Sequence, residues 1–157
     1  MPFEDYFLQT KSSIDPTVSD FVVFTAGLKN QTYFYVKSTW ECEMSHQTFK
    51  ACIEACNACV VACNHCAASC LQEPDVKMMA RCIALDMDCA QICALAAAAM
   101  ARGSEHAKAI CTLCADICEA CSAECAKHAG HGMAHCQACA EACNACAKEC
   151  RQMSAMA

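Results

Sequence analysis

Beyond residue 50 the apolar positions recur every three or four residues, and most of them are cysteine. Residues 52–70 read CIEACNACVVACNHCAASC, so Cys52, Cys56, Cys59, Cys63, Cys66 and Cys70 step 4, 3, 4, 3, 4. That alternation is the inward seam of an amphipathic helix. CTLCADICEACSAEC repeats it with Cys111, Cys114, Cys118, Cys121 and Cys125. CQACAEACNACAKEC repeats it again with Cys136, Cys139, Cys143, Cys146 and Cys150. A thinner stripe lies between the first two, and the same stepping fills it as Met79, Cys82, Asp86, Cys89, Cys93, Ala96 and Met100. The pattern predicts four helices, over residues 45–71, 74–101, 105–128 and 134–153. Ser45 reads as the first N-cap, Pro74 as first-turn residue of the second helix, and Ser104 as cap of the third. Gly103 closes the second helix, and Gly130 and Gly132 mark the last loop. Connections this short make neighbours antiparallel, so the expected fold is all-α, an up-down-up-down four-helix bundle with a cysteine-lined core.

Residues 1–43 have a different composition. Nine of the ten aromatic residues lie before residue 41, whereas nineteen of the twenty cysteines lie after residue 50. The segment could hold a short strand or two and is too short to bury a core of its own. Met44 is a candidate translation start, which would make residues 1–43 an upstream artefact; otherwise they form an N-terminal extension to a bundle at 44–157.

Charge and targeting signals narrow the setting. Net charge is −6 with both signs interspersed, which excludes nucleic acid and an anionic membrane surface as expected partners. Glu4 and Asp5 stand where an export signal would carry basic residues, and FVVFTAGL at 21–28 is short and follows Asp20. No stretch is expected to reach the roughly 18 apolar residues that span a bilayer. A reducing cytoplasm is the expected compartment, and there thiols stay free.

A core of thiols needs a chemical reason. Buried free cysteine can serve as a small hydrophobe, but nineteen such positions are too many for packing alone when Ile53, Leu85, Ile92, Leu113 and Ile117 are also used. Residues four apart on a helix share a face, so each of the eight CxxxC pairs can bring two sulfurs to about 4–5 Å, within reach of one ion. Soft thiolates select Cu(I), zinc or iron–sulfur clusters. Cu(I) accepts two or three sulfurs, and one Cu(I) per bridging thiolate leaves a dry core uncharged. Zinc would need four ligands per ion, so the core would hold about four. The C-x2-C-x2-C-x3-C run of bacterial ferredoxins is absent. No thiol is set apart as a redox nucleophile. Disulfide bracing fits the wrong compartment. Cu(I) storage therefore leads, and a zinc or general heavy-metal buffer and a purely structural oligomer stay open.

The cysteine-striped helices, CIALDMDCAQIC, CTLCADICEACSAEC and the junction KHAGHGMAHCQAC resemble the bacterial four-helix-bundle copper storage proteins, in their cytosolic branch. The resemblance covers about residues 45–155. It implies many Cu(I) ions bound inside each bundle and a homotetramer of bundles. The expected function is a cytosolic Cu(I) store and not an enzyme, with a copper chaperone as a candidate donor.

Antiparallel order gathers Met78, Met79, His128, His131, Met133 and His135 at one end, which is expected to be the copper mouth. His128 continues the third seam, and His128 and His135 join the nineteen cysteines as candidate ligands. Asp86 interrupts the second seam as an oxygen ligand or a partner for a thiol. His46, Phe49, Met100, His106 and Met153 gather at the opposite end, where Phe49 and the methionines form an apolar plug. His65 is off the stripe.

Overall fold

The computed structural model of the chain describes residues 47–156. The stripes become four helices, α1 (Lys50–Cys70), α2 (Val76–Ala101), α3 (Ala107–Ala129) and α4 (Ala134–Ala155). No strand occurs among the described residues. Residues 1–46 lie outside them, and with them the expected strands, Ser45, His46 and Cys42.

Two helix starts differ from expectation. Asp75, not Pro74, opens α2, and its side chain accepts the Met78 N–H at 3.3 Å. A carboxylate oxygen can satisfy one of the unpaired first-turn donors, which proline cannot do. Pro74 instead occupies the turn before the cap. Ser104 is likewise displaced from α3, whose N-cap is His106 without a side-chain bond. The Ser104 hydroxyl accepts the His106 N–H at 3.3 Å and its carbonyl accepts the Ala107 N–H at 3.0 Å, so it shapes the turn just before the helix.

Gly103 does close α2. Its N–H bonds the Met100 carbonyl at 3.1 Å, and the Ser104 N–H bonds that of Ala99 at 3.0 Å. This paired closure needs a left-handed residue, and Gly103 has φ 64°. Gly132, at φ 88°, makes the corresponding bend before α4.

Each helix packs on its sequence neighbours, and α4 packs back on α1, which closes a square, antiparallel bundle. Every stripe position faces inward. Met79, Cys82, Asp86, Cys89, Cys93, Ala96 and Met100 are all buried along α2. Alanines beside the seams, such as Ala67, Ala115, Ala140 and Ala147, are buried as well. Ile53 is buried, while Leu85, Ile92 and Ile117 pack on the core from its margins.

One sequence expectation fails. By length and composition alone, α1 and α2 are apolar enough to cross a membrane, because cysteine and alanine count as apolar. In the fold their seams line the bundle interior. What the composition leaves over is an apolar outer face on these two helices, with Val61, Met87 and Leu95 exposed.

Candidate metal centre

All nineteen cysteines of the described chain are buried and free. The seams put sulfurs from facing helices in direct contact, and the contacts run on along the bundle axis. At the end formed by the start of α1 and the end of α4, Cys52 lies 3.6 Å from Cys150, and Cys111 is buried beside both. Cys56 contacts Cys150 at 3.7 Å and Cys146 at 3.6 Å. Deeper, Cys93 touches Cys114 at 3.6 Å, Cys118 at 3.5 Å and Cys146 at 3.7 Å. Cys89 lies 3.5 Å from Cys118 and 3.7 Å from Cys59. Cys63 meets Cys139 and Cys143, each at 3.6 Å.

Asp86 joins this stretch to the next. Its Oδ1 accepts S–H from Cys121 at 3.1 Å, Cys139 at 3.3 Å and Cys125 at 3.4 Å, and its Oδ2 from Cys82 at 3.8 Å. Burial pushes its carboxyl up to about 10, and the neighbouring charge of Cys139 acts the same way. Asp86 is fully buried, which penalises its charged form, so it is held neutral at physiological pH. Beyond it, Cys82 lies 3.5 Å from Cys125, and Cys66 3.8 Å from Cys136. Burial raises the Cys70 thiol, and raises that of Cys136 to about 11.

The expected ends differ in what they offer. At the α1–α2 and α3–α4 turns, His135 Nε2 lies 3.5 Å from Cys70 Sγ, and His128 is buried on the α3 seam. Met79 is buried with them, whereas His131 and Met78 are exposed and outside the cluster. At the other end Met100 and Met153 are buried, Phe49 is partly buried against the core, and His106 is exposed. His65 is exposed too. Two carboxylates escaped the sequence reading: Glu124 Oε1 lies 3.7 Å from His128 Nε2, and Glu73 Oε1 3.8 Å from His135 Nε2. The first had a signal, since Glu124 and His128 are one helical turn apart. The second had none, because Glu73 reaches His135 only across the α1–α2 turn.

The sulfur spacing says what the core can hold. Within one helix, Cys59 and Cys63 approach to 3.7 Å, Cys66 and Cys70 to 3.9 Å, Cys139 and Cys143 to 3.9 Å, and Cys114 and Cys118 to 4.0 Å. These distances sit at or just below the short end of the roughly 4–5 Å expected from helix spacing. Two bonds of about 2.3 Å in a line would set the sulfurs ~4.6 Å apart, and three around one ion ~4.0 Å apart. Three-coordinate binding therefore fits with almost no movement, and a linear pair needs a slight opening. A tetrahedron, with edges near 3.8 Å by the same bond length, also fits locally. Sharing is what distinguishes them. Cys59, Cys63, Cys89 and Cys143 form one four-sulfur group, yet Cys59 and Cys89 also belong to a group with Cys93 and Cys118, and Cys63 and Cys143 to one with Cys121 and Cys139. Ions in adjacent groups must use common sulfurs.

The sequence profile of the copper storage proteins matches residues 45–155, the whole striped region. The chain belongs to the copper storage protein family. Among solved structures, copper storage protein 3 of Bacillus subtilis in its apo form is 55% identical, with a TM-score of 0.61 over 68% of this chain and 98% of that one. A Cu(I)-bound copper storage protein is 56% identical, with a TM-score of 0.63 over 68% of this chain and 97% of its own length. A cytosolic copper storage protein from Streptomyces lividans, carrying five coppers, is 39% identical, with a TM-score of 0.69 over 73% of this chain and 98% of its own. The cysteine-rich protein YhjQ of Bacillus subtilis is 56% identical over 67 residues, 43% of this chain, and the match spans 62% of that protein's length.

Proposed function

We propose that this chain stores Cu(I) in the cytosol, holding many ions per bundle on thiolates that neighbouring ions share. The observation that carries the reading is the continuous line of nineteen buried free thiols, grouped in overlapping sets of four. The assigned ligands are those nineteen cysteines with Asp86, and His128 and His135 at the mouth. Copper is passed from His135 to Cys70, then inward past Asp86 by ligand exchange, each thiol losing its proton as it binds. A storage role suits equivalent buried thiols, whereas catalysis would need one distinguished group. Nineteen free thiols also call for a reducing compartment, in keeping with the cytosolic relative from Streptomyces lividans.

Anaerobic titration of the reduced protein with Cu(I), counting ions per chain, tests the reading. More than about ten ions are expected, approaching one per core cysteine, since that ratio leaves the core uncharged. Saturation at about four to five metals, with zinc displacing copper, would establish separate four-thiolate sites instead. A structural oligomer would take up few or none.

The storage unit is assigned to residues 44–157, with 1–43 an extension to it and a copper chaperone as donor. Self-association into a tetramer is assigned to the α1–α2 outer face. There Val61 is 70% and Leu95 46% exposed, and a shallow groove runs between Val60, Asn64, Met87, Ala90, Gln91 and Ala94. The α3–α4 face carries charge instead, with Arg151 paired to Asp116 and Glu119. Light scattering of Val61→Lys/Leu95→Lys should read a monomer or dimer mass; an unchanged mass places the contact on another face.

A further inference from the structure

Beside the mouth stands a charged cluster that thiol chemistry does not require. Glu124, one turn before His128 on α3, is only 8% exposed. Its Oε2 accepts from Lys127 Nζ at 2.6 Å and from Arg81 Nε, on α2, at 3.1 Å. Its Oε1 faces His128 Nε2 at 3.7 Å. That imidazole nitrogen is buried and has no hydrogen-bond partner. A carboxylate this buried is costly unless it is paired, and two cations from two helices pair it. A fixed negative charge therefore stands next to one particular nitrogen of a mouth histidine. A ring nitrogen beside a carboxylate keeps its proton, which sets the tautomer and leaves the other nitrogen as the metal ligand.

We infer that Glu124, clamped by Arg81 and Lys127, is a positioning residue whose charge, 3.7 Å from His128 Nε2, keeps the proton on that nitrogen, so that Nδ1 carries the lone pair offered to incoming Cu(I). His135 is held differently, since its Nε2 faces the Cys70 sulfur and Glu73 together. One histidine is a fixed gatepost and the other hands copper on. The inference rests on the storage reading, and names the group that aims one of its mouth ligands.

Two measurements on the full chain test it. Long-range nitrogen–proton NMR of the reduced apo protein, with labelled histidine, should find the His128 proton on Nε2; a proton on Nδ1 overturns the assignment and needs no variant. Stopped-flow loading from a coloured Cu(I) chelate then compares Glu124→Gln, His128→Ala and the pair. Glu124→Gln should slow loading by about 10-fold. In the His128→Ala background it should slow loading no further, because Glu124 would have nothing left to aim. Multiplying effects mean that Glu124 acts through the fold, and an unchanged Glu124→Gln rate means that it does not act; either overturns the inference. Counting bound Cu(I) in the wild-type samples separates the two levels. Low capacity sinks the storage reading, whereas full capacity with failed coupling sinks only the role of Glu124.

Discussion

Asp86 is the one acidic side chain on any seam, and its surroundings decide its charge. Loss of water is the main cause, the neighbouring charge of Cys139 adds to it, and the acid form prevails. In the unfolded chain the group titrates near 3.8, and in the bundle near 10. The folded state thus binds the proton more tightly. The stability this contributes is complete below about pH 4 and is lost progressively as pH rises towards 10. Asp86→Asn keeps an oxygen for the thiols of Cys121, Cys125 and Cys139 and cannot ionise. Reduced apo Asp86→Asn should therefore melt above the wild type at pH 8, and the gap should close by pH 4. A gap of equal size at both pH values would mean that Asp86 is not held neutral. The alternation of residues already placed Asp86 on the seam. Its protonation was not legible there, because it depends on sulfurs contributed by α3 and α4.

At the scale of the helix, extent was readable and cap chemistry was not. The 3–4 stepping runs for as long as a helix does, so each stripe marks its own length. Caps turn on single hydrogen bonds, and so His106 took the position expected of Ser104, and Asp75 became a cap where none was expected. Gly103 was the exception, since a glycine after the last seam residue has one strong structural use. Gly103→Ala must place a Cβ at φ 64°, which costs about 1 kcal/mol or somewhat more. Urea unfolding of the reduced apo protein should register that loss. Cu(I) capacity should be unaffected, because no sulfur moves. An unchanged urea midpoint would show that the paired closure of α2 is not needed.

For the whole molecule, direction is the main consequence of antiparallel order. The end with His128, His135, Cys70 and Met79 offers imidazole nitrogens beside a thiol, and the end with Phe49, Met100 and Met153 carries apolar side chains. His128→Ala/His135→Ala should slow both loading and chelator removal of Cu(I), about 10-fold or more, while the total bound falls by no more than the ions those two rings hold. Unchanged rates in that variant, with faster rates in Phe49→Ala, would reverse the direction of the tube.

By itself the chain's sequence determined that there would be four helices, which face of each would turn inward, and that this face would be thiol. These properties are local: a 3.6-residue period acts on a 3–4 spacing wherever that spacing occurs. Only the tertiary structure decided which sulfurs share an ion, why Asp86 is neutral, and which carboxylate stands behind each mouth histidine. Cys59 meets Cys143, and Arg81 meets Glu124, across helices far apart in sequence. No spacing along one helix encodes those meetings, because they depend on how four seams align when the bundle closes.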